Sequence, residues 1–193
     1  MKPLYSYQYK SFIFETFDHL PKVEGIKQLN QVHGDDIVSI QSETQTTADG
    51  FIFMSDQLKN NIPAIRTADC LPIWIMNGDQ HYFLHAGWRG LHQNILKTIP
   101  QIDFALIGPS IQSSSFEVQS DFKKYFSQDE FYQNISQKLT FDLQAYAKKL
   151  IRDISEDAVI IDSGLCTYQD QRFHSYRRDK TSDRNWSIIR SLG

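Results

Sequence analysis

The chain has 193 residues, 40% of them hydrophobic and 22% charged, with a formal net charge of -3 at pH 7. That length and composition suit one globular domain with a sizeable core, and the slight negative charge gives no general attraction to nucleic acid or to an anionic membrane. No apolar run approaches the roughly 20 residues that span a bilayer. Residues 1–5 also lack the apolar core of a secretory signal, so a cytoplasmic protein is expected, with its two cysteines, Cys70 and Cys166, reduced.

Short strands are predicted over 25–32, 37–40, 50–54 and 64–67, each bounded by turn-forming residues. Strands 71–76 and 81–86 follow, separated by Asn77-Gly78-Asp79-Gln80, where Asn-Gly between apolar runs signals a hairpin. A helix is predicted over 89–98 and a buried strand over 104–107. The clearest helix is 141–154, where Leu143, Ala147, Leu150, Ile151 and Ile154 form a stripe and Thr140 is placed to cap it. Strands 159–161 and 186–189 complete the series. With no internal repeat or long linker, the expectation is a single domain over 1–193, of mixed α/β (α+β) class, with a mixed β-sheet core flanked by helices.

The hairpin carries a geometric deduction. If Asn77 faces Gln80, then Pro72 faces His85, and Cys70 lies opposite Gly87. Cys70 and His85 then share a face as diagonal neighbours, with backbones about 7–8 Å apart. A thiolate and an imidazole at that separation can meet at one ion, because Zn–S is about 2.3 Å and Zn–N about 2.0–2.1 Å, although taken alone such a pair is more often a buried thiol near a hydrogen-bonded histidine. His81 shares that face but lies roughly 13 Å along the strand, too far to join them. His19 and His92 are expected at the surface, and Cys166 as a buried thiol.

The chain carries, in order, Gln31-Val32-His33-Gly34, Ala48-Asp49-Gly50, Arg66-Thr67-Ala68-Asp69-Cys70-Leu71-Pro72 and His85-Ala86-Gly87-Trp88-Arg89-Gly90. Gly108-Pro109-Ser110-Ile111 with Phe116-Glu117-Val118, and finally Ser175-Tyr176-Arg177-Arg178-Asp179, complete the set. This series resembles the laccase-domain (YfiH-like, multicopper polyphenol oxidoreductase) family over roughly residues 31–192. The resemblance implies a YfiH-like fold and a metal held by His33, Cys70 and His85. It also implies purine nucleoside chemistry: phosphorolysis of adenosine, inosine or methylthioadenosine, adenosine deamination, or both.

Two histidines and a cysteine leave a fourth tetrahedral position open, as catalytic zinc sites do, so zinc is expected ahead of copper. Six histidines in all are too few for a multicopper cluster, and neither Met54 nor Met76 is linked to the site as an axial copper ligand. Asp69 is a candidate proton shuttle, although its adjacency to Cys70 demands a turn there. Arg66, Arg89 and Arg177 are candidates for phosphate and substrate, because a guanidinium matches phosphate with paired donors. Arg178 is a further candidate, with at least one of the 177–178 pair expected on a solvated surface. The glycines around Trp88 suit a turn into a helix start, either one that holds an anion or one that simply packs tightly. His174 replaces the phenylalanine that usually precedes Ser-Tyr-Arg-Arg-Asp, read as a packing substitution ahead of a role near substrate.

Two other readings remain open. Cys70 activated by His85 suits a cysteine-type amidohydrolase acting on peptidoglycan precursors. Alternatively, only 30 residues precede Gln31, and the family's usual N-terminal segment is not recognisable in them. Asp183 also stands where glycine is usual. A chain shortened in this way would be a degenerate metal-binding member with little activity.

Overall fold

The computed structural model describes residues 2–192. In chain order it contains β1 (Tyr5–Tyr9), β2 (Phe12–Phe17), β3 (Ile26–Gln28), β4 (Ile37–Ser39), β5 (Gly50–Met54) and β6 (Ile62–Thr67). Then come β7 (Leu71–Asn77), β8 (Gln80–Ala86), α1 (Trp88–His92), β9 (Phe104–Ile107), β10 (Tyr132–Ile135) and β11 (Lys138–Phe141). The chain ends with α2 (Leu143–Ile154), β12 (Val159–Asp162), α3 (Tyr176–Asp179) and β13 (Asn185–Ser191).

A six-stranded mixed sheet, β12-β9-β7-β8-β5-β4, forms the middle layer. Its central strand β7 is buried on both faces, which is why its sequence is an unbroken apolar run rather than an alternation. One face packs Trp74, Phe83, Phe51, Phe53 and Leu106 against Phe12, Phe14, Ile65 and Ile189 of a five-stranded sheet, β1-β2-β13-β6-β3. The other face packs Ile73, Ile75, Leu84 and Ile107 against Leu91, Ile95, Leu96, Ala147 and Ile151. The result is a three-layer mixed α+β arrangement, with β10 and β11 as a separate hairpin. Among the described residues, no helix is long and apolar enough to cross a membrane.

The β7–β8 register is Asn77↔Gln80 and Pro72↔His85, as the turn chemistry predicts, with Gly78 at φ 57. Other predictions need correction. The helix expected over 89–98 stops at His92 and continues as turns, because Asn94 adopts φ 56, outside the helical region. The long helix begins at Leu143, capped by Asp142, whose side chain accepts from the Ala145 amide. Thr140 is no cap: it lies in β11 and its hydroxyl donates to the Gln133 carbonyl. The strand expected over 25–32 is only Ile26–Gln28, and strands β1 and β2 were not anticipated.

Ile151 is fully buried between α2 and the sheet. Ile151→Ala is expected to lower unfolding free energy by about 2–5 kcal/mol. The half-exposed Val159→Ala should change it by less than about 0.5 kcal/mol. Denaturant titration followed by tryptophan fluorescence checks both.

Candidate metal centre

His33, Cys70 and His85 converge from three separate segments. Cys70 stands one residue before β7, His85 at the penultimate position of β8, and His33 in the loop after β3. Each offers one ligand atom, and the three atoms lie within 4.8 Å of one another. A tetrahedral ion with ordinary Zn–N and Zn–S bonds holds such atoms about 3.4–3.6 Å apart, so small side-chain rotations close the site. The backbone also fits: a Cβ at Gly87 would stand 2.9 Å from the Cys70 sulfur and 3.4 Å from the His33 ring. Only glycine lets the chain pass that close. Among the described residues, this is the one such convergence of three or more metal-capable side chains.

The site is electrostatically coupled. Burial opposes ionisation of Cys70, but the neighbouring His85 and His33 overcome it and bring the thiol down to about 6. Burial likewise disfavours imidazolium at His85, but the Cys70 thiolate and Asp49 pull it up to about 9. Each group thus favours the charged form of the other, thiolate beside imidazolium.

Asp49 is the residue that sequence reasoning left without a role, although its Ala-Asp-Gly motif was visible. It is fully buried. Its carboxylate accepts from His85 Nδ1 at 2.8 Å and from the backbone amides of Val32, His33 and Gly34 at 3.2, 2.9 and 2.7 Å. Burial works against the charge, but the His85 bond and the Gly34 and Val32 amides hold the carboxyl below its ordinary value.

Asp69 makes the turn that its position required, with φ 88. Its carboxylate accepts from the Thr167 hydroxyl and the Arg177 amide, both at 2.7 Å. The two arginines expected to include a solvated one are both half-buried and bonded. Arg177 donates to the Glu117 carbonyl and lies over Phe116, and it borders a cavity of about 150 Å³ with Ser114, Ser115, Lys138 and Tyr168. Arg178 donates to the carbonyls of Thr167, Tyr168 and Phe173, tying a loop together because its planar fork reaches several acceptors at once.

Arg66 pairs with Trp186 on the outer face of the five-stranded sheet, and its guanidinium has no hydrogen bond or ion pair among the described residues. Arg89 is exposed, stacked over Trp88 at 4.8 Å. Gly87 caps α1 as the glycine pattern implied, but the helix has only five residues.

The other histidines stand apart. His81 is buried against Trp74, whose indole N–H donates to it, and Ser55. His92 is exposed beside the Tyr125 carbonyl, His19 is exposed beside Asp18, and His174 contacts the Asp18 carbonyl. Their dispersal leaves no second histidine cluster for a multicopper centre among the described residues. Both cysteines are free thiols, and Cys166 is buried near Ser115.

A family model described as multi-copper polyphenol oxidoreductase laccase matches residues 14–191. The chain belongs to this laccase-domain family. Its family likeness therefore starts inside β2, well before the first recognised motif. Among laccase-domain relatives, the purine nucleoside phosphorylase YfiH of Shigella flexneri is 31% identical over 181 residues, covering 83% of this chain and 72% of its own. The purine nucleoside phosphorylase of Aquifex aeolicus is 32% identical over 162 residues, covering 80% and 77%. The crystal structure of Neisseria meningitidis protein NMB0706 shares the laccase-domain fold with a TM-score of 0.75 at 28% identity, covering 88% of this chain and 76% of that one.

Proposed function

We propose that this chain is a zinc-dependent purine nucleoside phosphorylase whose reaction centre is the His33–Cys70–His85 cluster. The observation that carries the reading is the convergence of those three ligand atoms within 4.8 Å, in a chain 31% and 32% identical to two named purine nucleoside phosphorylases. Two imidazoles and a thiolate suit zinc and leave one coordination position open. Bound there, zinc supplies a concentrated positive charge beside the substrate.

The chain's own groups have distinct tasks in this reading. The glycosidic C–N bond breaks as a phosphate oxygen bonds to C1′, so an anion must be held against the ribose. Arg66, Arg89 and Arg177 are the cations we assign to phosphate and substrate; Arg66 and Arg89 are the freer of the three. Asp69, bonded to both Thr167 and Arg177, keeps the Arg177 segment beside Cys70. Its use as a proton shuttle requires release of one of those bonds.

Incubation of zinc-loaded protein with phosphate and adenosine or inosine is expected to release free base and ribose 1-phosphate, and with methylthioadenosine to release adenine and 5-methylthioribose 1-phosphate, followed by chromatography. Inosine formed from adenosine without phosphate would report deamination at the same centre. Absence of any product from fully loaded protein overturns the reading and leaves the degenerate metal-binding member.

A second reading is favoured by the thiol itself, held at about 6 beside two histidines. Cys70 would then act as nucleophile in a cysteine-type amidohydrolase on peptidoglycan precursors. Amide hydrolysis that survives complete metal removal and stops on alkylation of Cys70 would establish it.

A further inference from the structure

We infer that Asp49 is a positioning residue that fixes two of the three metal ligands at once, locking the His85 ring through Nδ1 and the His33 loop through its backbone. The inference rests on the metal-centre part of the proposed function, and not on which reaction is catalysed there.

Two independent observations meet at this carboxylate. An ionised carboxylate only accepts hydrogen bonds, so at 2.8 Å from Oδ1 the His85 Nδ1 carries a proton. Its Nε2 is thereby left to face Cys70 and His33. Second, the amides of three consecutive residues, Val32, His33 and Gly34, all converge on the two oxygens. Such a nest of N–H groups is an anion-binding shape. It demands that His33 adopt φ 62, a left-handed conformation that is unfavourable for a non-glycine residue. The buried carboxylate offsets that strain by bonding every amide the conformation exposes. The Asp49 main chain adds a further tie, because its carbonyl accepts from the His85 amide at 2.7 Å. The loop bearing one ligand and the strand bearing another thus become a single rigid unit, joined through one side chain.

Asn fits the volume but offers one acceptor oxygen where two are used, and its NH2 group confronts an N–H donor. Asp49→Asn is therefore expected to weaken zinc binding by about 10–100-fold, the range for losing a partner behind a ligating histidine. Competition with a chromophoric chelator measures this, and the absorption spectrum of the cobalt-substituted protein should shift in the variant. Ile151→Ala serves as the control: a core substitution that lowers stability should leave zinc affinity and the cobalt spectrum unchanged.

Equal zinc affinity and an identical cobalt spectrum in Asp49→Asn and wild type overturn the inference. So does a cobalt change of the same size in Ile151→Ala. If Asp49→Asn does not fold, the wild type decides: long-range 1H–15N spectra of the zinc-loaded protein should show His85 protonated at Nδ1 and metal-bound at Nε2, and the reverse arrangement overturns the inference. Wild type that binds no zinc sinks this inference and the proposed function together. Zinc bound with the expected Asp49 dependence, but no purine base released, sinks only the nucleoside reading.

Discussion

Cys70→Ser is expected to abolish stoichiometric zinc retention and, with it, release of purine base. Serine is slightly smaller than cysteine and so accommodates the close approach of Gly87, which gives the local fold no steric clash to relieve. What disappears is the thiolate, the single anionic ligand in the set; a serine hydroxyl remains neutral and protonated. Losing a partner behind a ligand costs about 10–100-fold in affinity, so loss of the ligand itself should exceed about 100-fold. Cys166→Ser is the matched control, because that thiol is buried beside Ser115 and outside the cluster. Elemental analysis after dialysis, with base release assayed on the same samples, reads the outcome. Zinc retained at one equivalent by Cys70→Ser would remove Cys70 from the metal centre.

The second large effect concerns the metal-free protein. Alkylation of Cys70 by iodoacetamide should show its half-maximal rate near pH 6, about three pH units below an unperturbed thiol at 9.0. The sign follows from the charges: the thiolate is favoured while His85, raised to about 9, remains cationic beside it. At pH 7 the thiolate fraction rises from about 1% to about 90%, since each pH unit is a factor of ten. A less basic thiolate is a poorer nucleophile, with a Brønsted slope of about 0.4–0.5. That takes back about 16–32-fold of the roughly 90-fold gain in thiolate, leaving a net acceleration of about 3–6-fold at pH 7. The midpoint is thus the sharper readout than the rate. Mass spectrometry of the labelled peptides separates Cys70 from Cys166, and added zinc should protect Cys70. A midpoint above pH 8 in metal-free protein would show that the histidines do not hold the thiolate.

Legibility varied with the range of the interaction that decided each feature. The Asn77-Gly78 turn fixed the β7–β8 pairing, and with it the shared face of Cys70 and His85, because a two-residue period admits no intermediate register. The stripe along α2 was equally plain, but its first turn was misplaced. Pairing of β11 with β10 runs through Phe141, so the helix waits for Asp142. In the N-terminal hairpin, Tyr5, Tyr7 and Tyr9 alternate with polar residues, a period-two signal. Its turn has no Asn-Gly; Lys10 takes φ 53 instead, so nothing local marked the strand end.

The sequence leaves at least one of Arg177 and Arg178 on a solvated surface, because charge alone says nothing about neighbouring carbonyls. The fold supplies Glu117, Thr167, Tyr168 and Phe173 as acceptors, and draws the pair inward.

By itself the sequence determined the donor types of the centre, the register that joins Cys70 to His85, and the family, since those depend on residue identity and on a turn only a few residues long. Tertiary structure alone decided that Asp49 braces the centre. That requires β5 to lie beside β8, with Gly50 opposite Leu84, so that a carboxylate 36 residues away meets the His85 ring. Strand order arises from how whole sheets bury their faces, and no local pattern around Asp49 encodes it.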